Sequence, residues 1–299
     1  MNEGYSWVLF ALFSGLLSAL VNILDKYVLD KFAKNPVVPI LLLGIFNLLP
    51  CGLILAIRGI PRLSLQNSLL IVVAGVAIFY MAYFYFKAAA LEEISRVVPL
   101  LFLSPLFTAV LAFIFLDETF TYQKYLGVFA VILGALLVSS RFPLAIRISR
   151  PLWFMIISAL SISVHYVLAK YLLGFADYWS VFALTRLVMS AATIPLFFRH
   201  ASDLKSTLEK HSWKVVGVMA LDQYIALGAI LLLFVAAAGG PISLVMAVAS
   251  IQPFFVLLFT VLLSLFWPQL MKEGIARSTV LQKMAAIVLM FAGILLITG

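Results

Sequence analysis

The sequence predicts an all-α membrane protein whose ten transmembrane helices form two inverted five-helix repeats. Three observations predict this fold. The 299 residues are 65% hydrophobic and 11% charged, with a mean hydropathy of +1.18, whereas soluble domains are roughly 45–50% apolar and 25% charged. Polar breaks leave ten apolar stretches, each close to the roughly 20 residues that a helix needs to cross a bilayer. The second half of the chain also repeats residue patterns of the first.

Charged residues and Gly or Pro clusters bound the predicted helices of the first half. The five helices are Ser6–Leu29, Val37–Ile57, Ser68–Leu91, Ile94–Leu116 and Tyr122–Ser140. The first stretch lacks the positive region of a signal peptide and is too long for one, so we expect a retained helix.

The same kinds of break bound the helices of the second half. These are Pro151–Leu173, Trp179–Phe198, Trp213–Ala238, Ile242–Trp267 and Val280–Thr298. The longest polar connection, Arg199 to Lys214, has a helical pattern that suits the membrane surface.

Three pairs of segments relate the two halves. They are Asp25–Leu29 with Ala169–Leu173, Ala88–Ser95 with Ala236–Ser243, and Gln123–Leu137 with Gln282–Leu296. We therefore expect one membrane domain built from a first repeat at 1–145 and a second at 146–299. Five helices are an odd number, so the second repeat enters the membrane with the opposite polarity. Such repeats are typical of transporters whose two halves enclose one site near the bilayer midplane.

Lysine and arginine predict the orientation of the chain. The loops on the side of the N-terminus hold Arg58, Arg62 and Lys124. The opposite loops hold Lys31, Lys34, Arg96, Arg141, Arg147, Arg150, Arg199, Lys205, Lys210, Lys214, Lys272, Arg277 and Lys283. Because positive loops stay in the cytoplasm, we expect a protein of the cell membrane (plasma or inner) with both termini outside the cytoplasm.

Composition also excludes several classes of partner. The net charge of +8 has no clustered basic stripe on a soluble domain, so we expect no nucleic-acid partner. The single cysteine, Cys51, lies in an apolar run, so neither a disulfide nor a thiolate metal site is expected, and no cofactor is indicated.

The segment Leu116-Asp117-Glu118-Thr119, followed by Gln123, Gly127 and Gly134, resembles the drug/metabolite transporter superfamily and its EamA-like ten-helix members. Leu103–Phe107, Thr185-Arg186, Lys26 and Lys170 fit the same resemblance. It implies a basket of helices around a central cavity lined by the first, third and fourth helices of each repeat. It also implies export or exchange of small metabolites. The second repeat departs from the pattern, reading Trp267-Pro268-Gln269 where the first has its glutamate. Relatives are usually described with cytoplasmic termini, against the charge count here.

Charged residues inside predicted spans are candidates for function because burying charge in a bilayer is costly. Lys26 and Lys170 occupy matching positions. They either snorkel to the headgroups or form an anion-binding or gate-forming pair. Arg186 lies too deep for snorkelling, and its expected partner is Asp222. Asp222 is also the candidate proton carrier, with a static Arg–Asp pair as the alternative.

Aromatic and polar residues complete the predicted substrate site. Tyr80, Tyr83 and Lys87 share one face of the third helix, either as packing or facing the cavity. His165 and Tyr166 fall mid-helix, where a histidine is an interhelical hydrogen-bonder or a proton relay. Further candidates are the repeat equivalents Ser104 and Gln252, followed by the predicted gating residues Pro105 and Pro253. Each proline removes a backbone hydrogen bond and bends its helix.

These features predict a multi-pass transporter that moves a small metabolite by alternating access. An ATP-binding motif is missing from the sequence, so the energy comes from a gradient, with a proton or counter-solute as partner. The excess of cationic residues favours an anionic, zwitterionic or amphipathic cargo such as an amino-acid-like compound. A lipid flippase is the alternative, and an intramembrane enzyme using His165 and Asp222 fits less well. We expect a monomer or homodimer.

Overall fold

The computed structural model describes residues 6–31, 37–91, 98–139, 149–266 and 277–298, and the statements below concern these residues. They form eleven α-helices and one short 3-10 helix. In the first half these are α1 (Ser6–Lys31), α2 (Val37–Arg58), α3 (Leu65–Leu91), the 3-10 helix (Val98–Leu103), α4 (Ser104–Leu116) and α5 (Tyr122–Ser139). In the second half they are α6 (Arg150–Leu172), α7 (Tyr178–Ala192), α8 (Ile194–Gly239), α9 (Ile242–Ala249), α10 (Gln252–Phe266) and α11 (Arg277–Thr298).

Six segments are long and apolar enough to cross a membrane. They are Ser6–Asp25, Val37–Arg58, Leu65–Leu91, Arg150–Leu172, Val216–Gly239 and Ile242–Phe259. A seventh span results if α7 and the first part of α8 are counted together. Three shorter apolar helices, Ser104–Leu116, Tyr122–Leu137 and Gln282–Thr298, lie among them.

The predicted seventh helix, Trp179–Phe198, is wrong at its end. α7 stops at Ala192, and the chain bends by 62° before α8 begins. Pro195 in the first turn of α8 explains the new start, because proline has no backbone N–H to continue the earlier helix. The predicted helical character of residues 199–214 is confirmed, since α8 runs through them without a break.

Long helix pairs from opposite halves of the chain build the bundle. α1 packs along α8, α3 along α6, α2 along α7, and α5 along α11. A large apolar cluster fills the space between them and includes Phe182, Phe234 and Ile251.

Small residues allow α5 and α11 to touch backbone to backbone. A Cβ atom on Gly127 would lie 2.7 Å from the carbonyl oxygen of Gly293. A Cβ atom on Gly134 would lie 2.8 Å from the carbonyl oxygen of Ala286. As the residue number rises along α5 it falls along α11, so the two helices run antiparallel. Close approach of small residues is a common way for helices to associate in lipid.

Candidate functional site

A cavity of about 160 Å³ lies between α1, α4, α6, α8, α9 and α10. This volume is well above the roughly 10–15 Å³ that one water needs. Its polar lining consists of Ser14, Ser18, Asn22, Ser104, Tyr166, Ser250 and Gln252. Ile162, Leu233, Met246 and other apolar residues complete the wall. The cavity therefore combines apolar walls with a few neutral hydrogen-bonding groups, as small-molecule sites do.

Helix breaks at two prolines form part of this cavity. The 3-10 helix gives way to α4 at Ser104, directly before Pro105. α9 ends before Ser250, and α10 starts at Gln252, directly before Pro253. The predicted single helices Ile94–Leu116 and Ile242–Trp267 are thus each interrupted.

Both breaks expose polar groups that find partners on neighbouring helices. The Ser163 hydroxyl donates to the carbonyl oxygen of Ser104 (2.9 Å). The Gln252 amide donates from Nε2 to the carbonyl oxygen of Ser18 (3.0 Å). Ser104, Tyr166 and Gln252 are the predicted site residues that the structure brings together around one cavity.

Arg186 lies inside the bundle, as its depth predicts, with 3% of its surface exposed. Its Nη1 atom is 3.7 Å from the sulfur of Met189, and Tyr166 and Cys51 are near neighbours. Within the described part of the chain, Nε and Nη2 have no hydrogen-bond partner. Free guanidinium nitrogens pair best with an anionic group, and Arg186 itself does not line the cavity described above.

The predicted pair between Arg186 and Asp222 is wrong. The Asp222 carboxyl instead neighbours that of Asp25 on α1. The two carboxyls line a separate small cavity of about 30 Å³ with Gln223. The reason is rotational: Asp222 lies on the face of α8 that meets α1, away from Arg186 on α7.

Asn47 on α2 connects these two regions. Its Nδ2 atom contacts the Met189 sulfur (3.7 Å), which Arg186 also contacts. Its Oδ1 atom accepts a hydrogen bond from Gln223 Nε2 (2.9 Å). Contacts through Met189 and Asn47 therefore connect Arg186 on α7 to Gln223, the residue beside Asp222 on α8.

His165 is fully buried and faces away from both cavities. Its Nδ1 atom lies 2.9 Å from the carbonyl oxygen of Ala74 on α3. A carbonyl only accepts, so Nδ1 carries the proton in this contact. Nε2 has no partner among the described residues. Of the two roles that the sequence allows for this residue, the contact with α3 matches the interhelical hydrogen bond.

Tyr80, Tyr83 and Lys87 line neither cavity. The Tyr83 ring stacks on Phe79, and the Lys87 ammonium lies 4.4 Å from the Tyr83 ring centre. Tyr80 is 46% exposed. These contacts run along the surface of α3, so packing describes the stripe better than cargo contact.

Lys170 and Glu118 hold the turn between α8 and α9 from two sides. Lys170 Nζ donates to the carbonyl oxygens of Ala237 (2.6 Å) and Gly240 (2.8 Å). The Glu118 carboxylate accepts from the backbone N–H groups of Ile242 (2.8 Å) and Ser243 (3.1 Å) and from the Ser243 hydroxyl (2.6 Å). The cation thus meets the free carbonyls of one helix end, and the anion meets the free amides of the next.

This turn also lies against the start of α1. A Cβ atom on Gly240 would lie 2.6 Å from the Trp7 ring, so only glycine leaves room for the indole. We call this end of the bundle, with Trp7, Glu118, Lys170 and Gly240, the Trp7 end. The side chain of Lys26, the predicted counterpart of Lys170, lies outside the described residues.

Sequence reasoning missed several cavity residues. Ser14, Ser18 and Asn22 follow one another at intervals of four on α1, a spacing that places them on one face. That spacing was a usable signal. Asn47 is a lone amide in an apolar helix, and its partners depend on α7 and α8, which its local sequence does not specify.

Comparison with known proteins agrees with this architecture. Residues 5–140 match the model of the EamA-like transporter family. An uncharacterized protein of Methanocaldococcus jannaschii is 29% identical over 114 residues, covering 36% of this chain and 78% of its own. A solved crystal structure, described only as that of a protein, superposes with a TM-score of 0.71 at 14% identity, covering 98% of this chain and 96% of its own. At this identity, the structural match speaks for the fold alone.

The family match supports a role in transport, and the long apolar helices support a location in the membrane. The family consists of transporters and not of enzymes. Its members act on small molecules in a membrane, and this chain has the helices to cross one several times. Residues 5–140 therefore form a domain of the EamA-like transporter family, in a chain with six described helices long and apolar enough to cross a membrane.

Proposed function

We propose that this transporter moves a small anionic, zwitterionic or amphipathic metabolite, such as an amino-acid-like compound, by alternating access. A solute or ion gradient and not ATP drives the exchange or export. The observation that carries the proposal is the 160 Å³ cavity, which has mostly apolar walls and a few hydrogen-bonding groups and lies at two proline-broken helices. Helices interrupted beside a cavity are typical of transporter binding sites.

Ten spans in two inverted repeats, 1–145 and 146–299, underlie this proposal. The six long spans, the bent α7–α8 pair and the three shorter apolar helices correspond in order to the ten predicted spans. The contact between α5 and α11 supports the inversion. Gly134 and Gly293 are repeat equivalents, as are Gly127 and Ala286, and Gly127 meets Gly293 while Gly134 meets Ala286. Such reciprocal contacts between antiparallel helices are what a twofold relation between repeats produces.

Helix pairing supports the same relation. In ten-span order, α1 with α8 joins the first span to the eighth, and α3 with α6 joins the third to the sixth. Exchanging the two repeats converts one of these pairs into the other. The central cavity then lies where the repeats meet, which is where such carriers bind their cargo.

The surroundings of the cavity support an anionic or zwitterionic cargo. Its wall carries hydroxyl and amide groups but no acidic side chain. The buried cation Arg186 is a neighbour of the cavity residue Tyr166, and two of its nitrogens have no partner among the described residues. A carboxylate or phosphate would supply the bidentate partner that a guanidinium prefers.

The contacts at the Trp7 end support alternating access. Glu118 and Lys170 hold the α8–α9 turn closed against Trp7, at one end of the cavity helices. Opening at that end requires these charge-assisted hydrogen bonds to break. Positive loops at the opposite end support an orientation with the Trp7 end outside the cytoplasm.

A ligand screen on purified protein tests the proposal. Amino acids, nucleosides, sugars and organic phosphates are added one at a time, and thermal unfolding is followed. A bound compound raises the unfolding temperature according to its affinity and concentration. We expect at least one anionic or zwitterionic compound to stabilise the wild type, and Gln252→Ala to lose that shift. Gln66→Ala, at an exposed position of α3, is the matched control and should keep it.

Reconstitution into vesicles separates the alternatives. The stabilising compound should cross the membrane with the wild type and not with Gln252→Ala. Movement of labelled lipid without any solute movement would replace the carrier with a flippase. Stabilisation that persists in Gln252→Ala would move the cargo site away from this cavity.

A further inference from the structure

A second, smaller cavity has the chemistry of a cation site. It measures about 30 Å³ and lies between α1, α2, α3 and α8. This volume exceeds the roughly 10–15 Å³ that one water needs, but it is far below the roughly 300–1,000 Å³ of sites for drug-sized ligands. Any occupant is therefore a single small species.

Carboxyl and amide side chains form the polar part of the wall of this cavity. Asp25 and Asp222 line it together, and so does Gln223. Asp222 is 8% exposed and Gln223 is 3% exposed. Asp222 Oδ1 and Gln223 Oε1 have no hydrogen-bond partner among the described residues. The free amide oxygen is independent of the carboxyl pair, and it also requires a donor or a cation.

The contact between the two carboxyls identifies that cation. Asp25 and Asp222 line this cavity as neighbours, and a proton on one of them would let the two carboxyls share a hydrogen bond. Two ionised carboxylates in contact would repel each other, and both lie in helices that span the membrane.

No described basic side chain offers another neutralising partner inside this cavity. Its remaining walls are apolar residues of α2, α3 and α8. Tyr85 on α3 faces both carboxyls, and Asn47 on α2 reaches Gln223. Tyr85 is a neutral phenol, and Asn47 already donates its amide elsewhere.

We propose that Asp25 and Asp222 form a two-carboxyl site that binds and releases one proton, with the free Gln223 oxygen as an additional acceptor. The proton comes from water as H⁺, forms an O–H bond on one carboxylate, and leaves to water by breaking that bond. The use of this proton to drive transport rests on the proposed function.

The position of the pair suits coupling to the cargo site. Asn22 lines the larger cavity, and Asp25 follows it by three residues on the same face of α1. The proton site therefore lies one helical turn from the cargo cavity. It also lies 18 residues beyond Trp7, roughly 27 Å along the helix at 1.5 Å per residue, so it is remote from the Trp7 end.

Infrared difference spectroscopy of the full chain in vesicles tests the site without any cargo. The pH is titrated in sodium-free choline buffer, and the carboxyl C=O stretch is followed. We expect the wild type to show a carboxyl band that titrates. It should shift in frequency in Asp25→Asn and Asp222→Asn, because an amide–carboxyl contact replaces the carboxyl pair. The double variant, which keeps a neutral hydrogen-bonded pair, should lose the band, and exposed Glu209→Gln should leave it unchanged.

Two outcomes would overturn the proposal. One is a titrating band that persists in the double variant, which would place the proton elsewhere. The other is removal of the band by sodium, with thermal stabilisation of the wild type but not of Asp222→Asn, which would make this a metal-cation site. Solute transport without a titrating pair would refute this site and leave the proposed function standing. A titrating pair without solute transport would refute the proposed function and leave this proton site standing.

Discussion

Arg186 is a buried cation that lacks a protein counter-charge among the described residues. A guanidinium at such depth costs at least roughly 2.5–3.5 kcal/mol on translocon scales, so something beyond the fold must justify it. The anionic cargo proposed above would give its two free nitrogens a partner. At this position the unpaired charge lowers the stability of the protein, whereas binding of an anionic cargo would require that charge.

Replacing Arg186 with leucine should separate the two effects. We expect Arg186→Leu to unfold at an equal or higher temperature than the wild type without cargo, because an unpaired buried charge is removed. The same variant should lose the shift caused by an anionic compound, and Arg186→Lys should restore little of it, having lost the planar five-donor fork. Arg62→Leu, at an exposed loop position, serves as the control. A wild-type shift in Arg186→Leu would remove the guanidinium from the cargo site.

At the scale of elements, Glu118 caps the N-terminus of α9, which has no capping side chain of its own. Pro241 precedes this helix and provides no side-chain hydrogen bond to it. Glu118 reaches it from the loop after α4, where Asp117 takes a left-handed conformation with φ of 53°. Asp tolerates that conformation better than most residues. One loop therefore holds the start of a helix in the other half of the chain.

Loss of the Glu118 charge should loosen the Trp7 end. In Glu118→Gln, the remaining oxygen still accepts from Ile242 or from Ser243, but the amide N–H₂ faces the donor of the other residue. Capping contacts and helix-end charges each contribute up to about 1–2 kcal/mol, enough to shift a gating equilibrium several-fold. A cysteine at the cavity residue Ser18, with Cys51 replaced by alanine, should react several-fold faster with an impermeant reagent applied at the Trp7 end. Asp117→Asn is the control, and equal rates in all variants would mean that this contact closes nothing.

At the scale of the whole molecule, the charge bias and the proposed ten spans predict the orientation. Sixteen loop lysines and arginines divide three to thirteen, and an even number of spans would put both termini on one side. We expect single cysteines at Gln66 and Ser206, with Cys51 replaced, to be labelled from opposite sides of intact cells. Gln66→Cys should react with an impermeant reagent outside, and Ser206→Cys should be protected. The opposite pattern would place both termini in the cytoplasm.

Much of the local architecture is readable from the sequence. Apolar length marks the spans, because lipid leaves no alternative to helices with satisfied backbones. Proline marks the breaks before α4 and α10, because a residue without an N–H interrupts the ladder in any surroundings. Ser104 and Gln252 follow from these breaks. The bend between α7 and α8 escaped prediction, although Pro195 provided a local signal for it.

The sequence by itself determined the membrane environment, the recurrence of residue patterns in the second half and the helices on which the polar residues lie, since these depend on composition and on spacing within one segment. Only the tertiary structure decided the partners. Spacing assigns Asp222 to a face of its helix but does not say which helix that face meets, so the expected partner was Arg186 and the actual one is Asp25. The sequence likewise did not reveal that Lys170 binds backbone carbonyls, because those carbonyls belong to another part of the chain. Pairing between helices depends on how whole helices rotate and cross, and that is a property of the packed bundle.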